Sequence, residues 1–261
     1  MRIATFNVNS IKAHLPAVTG WLTERAPDVA GLQEIKCVDD AFPRLEIEAL
    51  GYRCETFGQK TYNGVALLSK HKMEDVTRGL PGFADEQSRF IAARIYPKDG
   101  APFHIANLYV PNGNPVPGEK WDYKLRWLEA LFAWVEGEMK SPDMPLVVMG
   151  DYNIMPEDID CHDPKAWRDD ALFRNEVRQF FRRYRALGLT DAVRSCTSAK
   201  ETYTFWDYQA GAWPKNNGLR IDHLMLSPLA ADRLHSAGID KHVRGQDKPS
   251  DHVPVWAEFA G

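Results

Sequence analysis

Short apolar runs bounded by Gly, Pro, Asn, Asp or a charge punctuate the chain from end to end. Runs of this length with such boundaries predict β-strands. They cover Ile3–Val8, Val29–Gln33, Gly64–Leu68, Phe90–Ile95, Phe103–Val110, Leu146–Met149, Ile221–Leu226 and Val253–Phe259. The Phe103–Tyr109 run partly alternates, so one of its faces is expected to be the more buried. Between the strands the period changes. From Trp121 to Met139 the apolar positions Trp121, Leu125, Leu128, Phe132, Val135 and Met139 recur every three or four residues, the single stripe of a helix lying on a core. A first helix is expected after a Ser10 cap, with Pro16 near its start and Pro27 ending it. Another should span Asp170 to Leu187, with Phe173, Val177, Phe180, Phe181 and Tyr184 on its inner side. Its Arg174, Arg178, Arg182 and Arg185 read as a solvated face in preference to a DNA-binding stripe.

Strands interleaved with helices up to the C-terminus, with no low-complexity linker, suggest one α/β layered domain over residues 1–261. The length and an apolar fraction of 44% allow a substantial core. The net charge of −4 argues against a protein that coats DNA through bulk charge, but it does not exclude a phosphate substrate. A carboxylate cluster loaded with metal attracts the anions that the bare cluster repels. Cys37, Cys54, Cys161 and Cys196 are widely spaced, which disfavours a zinc site or disulfide framework and fits reduced thiols in a cytoplasmic protein. The N-terminus shows no signal peptide, and no apolar run reaches the ~20 residues of a membrane span.

The chemistry gathers where strands end. Asp151 and Asn153 follow Leu146–Met149, and on an extended chain they point to one side. Magnesium needs only one or two protein carboxylates, since it keeps several waters. An ordinary Asp–Asn turn explains the same pair. Glu34 ends its run in the same way. Asn7 and Asn9 flank Val8 although Asn is depleted in strands, and a shared metal or phosphate site would explain them. Asp222, beside Ile221 and the Leu224–Leu226 run, is costly unless paired, and His252 is a candidate partner. Consecutive strand residues face opposite sides, which favours Asp222 over Asp251 as the carboxylate orienting His252. An acidic ring with Asn, Tyr and His can supply an activated water, charge stabilisation and leaving-group assistance for phosphodiester hydrolysis. No phosphate-binding Gly-rich loop and no Gly-x-Ser-x-Gly elbow occurs. Thr202–Tyr208 is rich in aromatics, consistent with base stacking or with an aromatic strand.

Eight segments occur in order: Ile3–Ile11, Leu32-Gln33-Glu34, Asn63–Ala66, Asn107–Asn112, Gly150–Asn153, Tyr203–Trp206, Leu219–Asp222 and Ser250–Pro254. Together they resemble the exonuclease III type of apurinic/apyrimidinic endonuclease, within the endonuclease/exonuclease/phosphatase superfamily. The resemblance covers essentially the whole chain. It implies a four-layer α/β sandwich, two packed mixed β-sheets flanked by helices, with the site at one rim. It also implies a monomer that uses Mg²⁺, with Mn²⁺ as a substitute. The expected substrate is double-stranded DNA, nicked 5′ to abasic sites, trimmed from 3′ ends or cleared of 3′ blocks. By position, Glu34 resembles the principal metal ligand, with Asn7, Asp251 and the Asp151, Asn153 and His252 group around it. Asp151 resembles the residue that activates water or serves the leaving group, and Asn153 the one that orients water or phosphate. Tyr109 resembles a phosphate-contacting phenol, and His252 an imidazole on the scissile phosphate held by Asp222. Asn112 resembles a phosphate-binding loop residue, while Phe205, Trp206 and Leu219 resemble the wall of a pocket for a flipped-out abasic sugar. Asn9 stands where some relatives carry an acidic ligand, Leu219 where some carry Trp, and Lys36 within reach of a DNA phosphate. The rivals are a DNase I-like non-specific nuclease, which would place a second catalytic His at Tyr109, and a non-catalytic DNA-binding relative, which would have lost an acidic or His residue of the set.

Overall fold

A computed structural model describes residues 1–140 and 144–260. Its strands are β1 (Arg2–Asn7), β2 (Val29–Gln33), β3 (Arg53–Phe57), β4 (Val65–Ser69), β5 (Lys72–Arg78), β6 (Phe90–Tyr96), β7 (Phe103–Tyr109), β8 (Leu146–Asp151), β9 (Thr190–Asp191), β10 (Asp222–Leu226), β11 (Leu234–Ile239) and β12 (Val255–Phe259). The helices are α1 (Leu15–Arg25), α2 (Arg44–Glu48), α3 (Glu119–Lys140), α4 (Asn175–Ala186), α5 (Ala192–Cys196), α6 (Ala212–Lys215) and α7 (Pro228–Ala231).

The strands form two six-stranded sheets, ordered β11-β12-β1-β2-β4-β3 and β5-β6-β7-β8-β10-β9. Each is mixed, because the crossovers β1-α1-β2 and β7-α3-β8 each give one parallel pair. The sheets stack face to face with helices outside, so the expected four-layer sandwich is the observed fold. Alternation along each strand assigns every side chain to one of two layers. On β1, Ala4 and Phe6 pack under α1 with Val18, Trp21 and Leu22. Ile3 instead faces the other sheet, beside Ile105, Val147, Met149 and Leu224. The outer face of the second sheet is covered by α3 and α4 through Trp127, Leu131, Phe181 and Tyr184. β7 is therefore covered on both faces, and the uneven burial expected for it does not occur.

Local corrections have local causes. Ser10 does not cap α1. It lies in a left-handed turn where its hydroxyl accepts from Ala13 N (3.3 Å), and the helix starts at Leu15 beside Pro16. Its C-terminus is closed by Ala26 in a left-handed conformation, directly before Pro27. α4 begins at Asn175, not Asp170, because the Asp170 carboxylate accepts from Leu172 N (2.8 Å) and holds a turn instead. Four strands have no counterpart among the apolar runs: β3, β5, β9 and β11. All four are sheet edges, and most of their side chains are at least partly solvated. The α4 arginines are engaged as a solvated face: Arg178 donates to Pro156 O and Asp158, Arg174 pairs with Glu176, and Arg182 donates to Asn175. No helix among the described residues is long and apolar enough to cross a membrane.

Candidate active site

The two sheets end together at one rim, and there the residues between them change character. Asn7 and Gln33 are register partners at the ends of β1 and β2. Tyr109, Asp151 and Asp222 are register partners across β7, β8 and β10. Gly150 makes this possible, since its φ is 149° and a Cβ there would lie 1.9 Å from Leu108 O. The first sheet thus supplies Asn7 and the adjoining Glu34, and the second supplies Tyr109, Asp151 and Asp222.

The carboxylates meet across the gap. Asn7 Nδ2 donates to Glu34 Oε1 (2.8 Å) and to Asp151 Oδ2 (2.8 Å), while Asn7 Oδ1 accepts from Asn9 N (3.0 Å). In this arrangement Asn7 bridges the two carboxylates through its nitrogen. Glu34, Asp151 and His252 each offer a ligand atom, and these lie within 4.8 Å of one another. Two hard oxygen donors with room for water suit a cation of the magnesium type, and Glu34 and Asp151 are the residues that would hold it. Asp251 and Asn9 lie outside this cluster and are bonded to each other, Asn9 Nδ2 donating to Asp251 Oδ1 (3.0 Å). Lys36, in a left-handed conformation, pairs with Glu34 Oε2 (3.0 Å) and also donates to Asn9. Lys36 is thus turned onto the acidic cluster, not outward as a free phosphate contact.

His252 sits between two carboxylates, with Nδ1 2.9 Å from Asp222 Oδ2 and Nε2 3.8 Å from Asp151 Oδ2. Asp222, and not the adjacent Asp251, is its partner, although His252 lies in an isolated bridge before β12. Burial opposes a charged imidazole, but Asp222 and Asp151 outweigh it and lift the pKa to about 10, so the ring is an imidazolium. Burial, and then Asp222, push Asp151 up to about 7. Burial also works against ionised Glu34, yet Lys36, Asn7 and His252 hold its pKa below the usual value. The Tyr109 phenol is raised well above its normal value by burial, then Glu34 and Asp151, and therefore stays a neutral hydroxyl donor to Glu34. Arg89 stacks on the Tyr109 ring at 4.7 Å.

Asn153 follows Asp151 through a turn in which Asn153 N donates to Asp151 Oδ1 (2.9 Å) and its own φ is 47°. The Asp–Asn turn and the site are therefore one feature, and the chain between the two residues is not extended. Asn153 Nδ2 donates to Val110 O (2.9 Å). Asn112 is exposed in the neighbouring loop, its side-chain oxygen accepting from Asn114. Of the three residues expected to wall a sugar pocket, only half-buried Phe205 reaches the site, its ring 5.0 Å from that of His252. Trp206 and Leu219 are 0% and 1% exposed, so neither presents a face to a ligand. Trp206 packs on Trp213 in the core, and Leu219 pairs with Phe205 through its backbone. The aromatic segment is held by isolated bridges, not built into a regular strand.

Three residues without an assigned role complete the site. Thr204 Oγ1 donates to Asp222 Oδ2 (2.6 Å) and accepts from Ile221 N and Asp222 N. Ser250 Oγ donates to Asn7 O (2.8 Å), tying the two chain termini together. Lys124 lies in α3 on the buried side, and its position between Trp121 and Leu128 on an apolar stripe was the available signal.

A model described as the Endonuclease/Exonuclease/phosphatase family matches residues 4–252. The chain belongs to that family. It is 35% identical to exodeoxyribonuclease III of Haemophilus influenzae over 268 residues, covering 99% of this chain and 100% of the relative. Among solved structures, the 3′-5′ exonuclease NExo of Neisseria meningitidis superposes with a TM-score of 0.94 at 39% identity, covering 100% of both chains. An AP endonuclease from Archaeoglobus fulgidus superposes at 0.93 with 36% identity, again over 100% of both.

Proposed function

We propose that the protein is an Mg²⁺-dependent DNA repair nuclease. It nicks duplex DNA 5′ to abasic sites, degrades 3′ ends and removes 3′ phosphate blocks. The observation that carries this reading is the meeting of Glu34, Asp151 and His252 within 4.8 Å of one another at the rim, with His252 Nδ1 held 2.9 Å from Asp222 Oδ2. The family membership and the DNA-directed activities of the named relatives support it.

The residues divide the work of phosphodiester hydrolysis. Asp151 takes a proton from the attacking water or returns one to the leaving oxygen, as general acid–base catalysis requires. Asn153 orients that water or a phosphate oxygen. The His252 imidazolium and the Tyr109 hydroxyl face the charge that builds on the phosphate, and Asp222 keeps the imidazole oriented. A cation held by Glu34 and Asp151 would polarise the phosphate and lower the pKa of a bound water. Phe205, against His252, forms the apolar side of the recess for an abasic sugar, and Asn112 contacts a flanking phosphate. A non-catalytic relative is disfavoured, since Glu34, Asp151, Asn153, Asp222 and His252 are all present, with Glu34, Asp151 and His252 meeting at the rim.

The test is cleavage of an end-labelled duplex bearing one tetrahydrofuran abasic analogue, with Mg²⁺ and with EDTA, beside an undamaged duplex. One metal-dependent nick 5′ to the analogue is expected. A ladder of shortened 3′ ends on both duplexes would make exonuclease work dominant. No cleavage with any divalent metal would overturn the assignment.

A further inference from the structure

Lys124 is 0% exposed, and no carboxylate is bonded to its ammonium group. Its Nζ donates to three backbone carbonyls: Asn112 O (2.9 Å), Asn153 O (2.7 Å) and Ala171 O (3.0 Å). An ammonium has three donors and no acceptor, so this cage satisfies it completely. A buried cation is tolerated only when its hydrogen bonds are all met, which makes the cage a demanding arrangement and not incidental packing. The three carbonyls belong to separate loops. One carries Asn112, one carries Asn153 two residues after Asp151, and the third is joined to the first by Asn114, which bonds Asp170 and Ala171. Gly113 fits against the lysine stem: its φ is 92°, and a Cβ there would lie 2.6 Å from Lys124 Cδ.

We infer that Lys124 is a positioning residue that locks Asn153 and the Asn112 loop into one rigid rim beside the scissile phosphate. The inference rests on the nuclease reading for its kinetic arm only. Asn153 has a left-handed φ of 47°, a conformation that Asn tolerates better than most residues. The bond from Lys124 to Asn153 O acts on that same residue. The rim then presents Asn153 and Asn112 at a fixed separation, so substrate meets a preformed surface.

Lys124→Met preserves length and burial but strips the three carbonyls of their donor. It should be compared with Leu131→Ala, a buried change one to two turns along α3, and with Lys120→Met, an exposed lysine of the same helix. All are assayed where each is fully folded. Lys124→Met should lose about 10²-fold in kcat, the scale expected for a misplaced reacting group. Leu131→Ala should melt earlier yet keep kcat and KM per folded molecule, and Lys120→Met should resemble wild type. In parallel, hydrogen exchange should accelerate in Lys124→Met at residues 111–114, 152–155 and 170–172, and not along the rest of α3. Wild-type kcat in a folded Lys124→Met, or unchanged exchange in those loops, overturns the inference. If the wild-type protein cleaves no DNA, the nuclease reading falls, and the exchange measurement still decides the role of Lys124.

Discussion

Between the sheets, β1 contributes Ile3, Thr5 and Asn7; β2 contributes Val29, Gly31 and Gln33; β7 contributes Ile105, Asn107 and Tyr109; and β8 contributes Val147, Met149 and Asp151. One end of this layer is hydrocarbon and the other is the site, with amides and a hydroxyl in the middle. At the apolar end Ile3, Ile105, Val147 and Leu224 are fully buried and the contact is non-directional. In the middle, Gln33 Nε2 donates to Thr5 Oγ1 and Asn107 Oδ1, while Asn107 Nδ2 donates to Leu32 O and Ala66 O, both 2.9 Å, across to the first sheet. Hydrocarbon tells the sheets to associate but is indifferent to a small slide. Directional bonds between buried amides specify the register, and the catalytic carboxylates, contributed by both sheets, depend on it. The same strands therefore separate stability from positioning along their length.

The largest effect that would break this contrast is at Asp151. Asp151→Asn should reduce the incision rate by about 10³-fold or more while barely lowering the melting temperature, because it removes a proton carrier and a buried charge together. Near-normal turnover would remove Asp151 from its role. His252→Asn should follow at about 10²-fold, through loss of the imidazolium facing the phosphate. Glu34→Ala should shift the Mg²⁺ concentration needed for half-maximal rate upward, with a smaller loss at saturating metal. A metal titration of the single-turnover rate measures it. At the opposite end, Ile105→Ala should cost ~2–4 kcal/mol in denaturant unfolding and leave kcat per folded molecule alone. A kcat loss there would mean that the two ends are not separable.

The effect furthest from turnover is the pH dependence of stability in EDTA. His252 holds its proton up to about 10 in the fold, against 6.5 for the free side chain. A raised pKa stabilises fully below about 6.5, and that contribution disappears as the pH climbs through about 10. Across this window the melting temperature of wild type should decline relative to His252→Asn. A parallel course of the two curves would show that the imidazolium contributes no stability.

The strand runs, the helical stripes of α3 and α4, a layered α/β domain and the chemistry at strand ends were legible in the chain, because apolar periodicity and an acidic or amide residue ending a run are local patterns, whereas the four-layer sandwich followed from the resemblance carried by the eight segments. Edge strands β3, β5, β9 and β11 were not, since a partly solvated strand needs no apolar run. The resemblance places Trp206 and Leu219 in a pocket wall, yet their neighbours bury them. Asp222 as the partner of His252 was the expectation from alternation. Lys36 turning onto Glu34, the nitrogen of Asn7 bridging two carboxylates, and Lys124 caged by three loops did not follow from any spacing. Each depends on groups far apart in sequence, whose distances are set only when two sheets and a helix close around one rim.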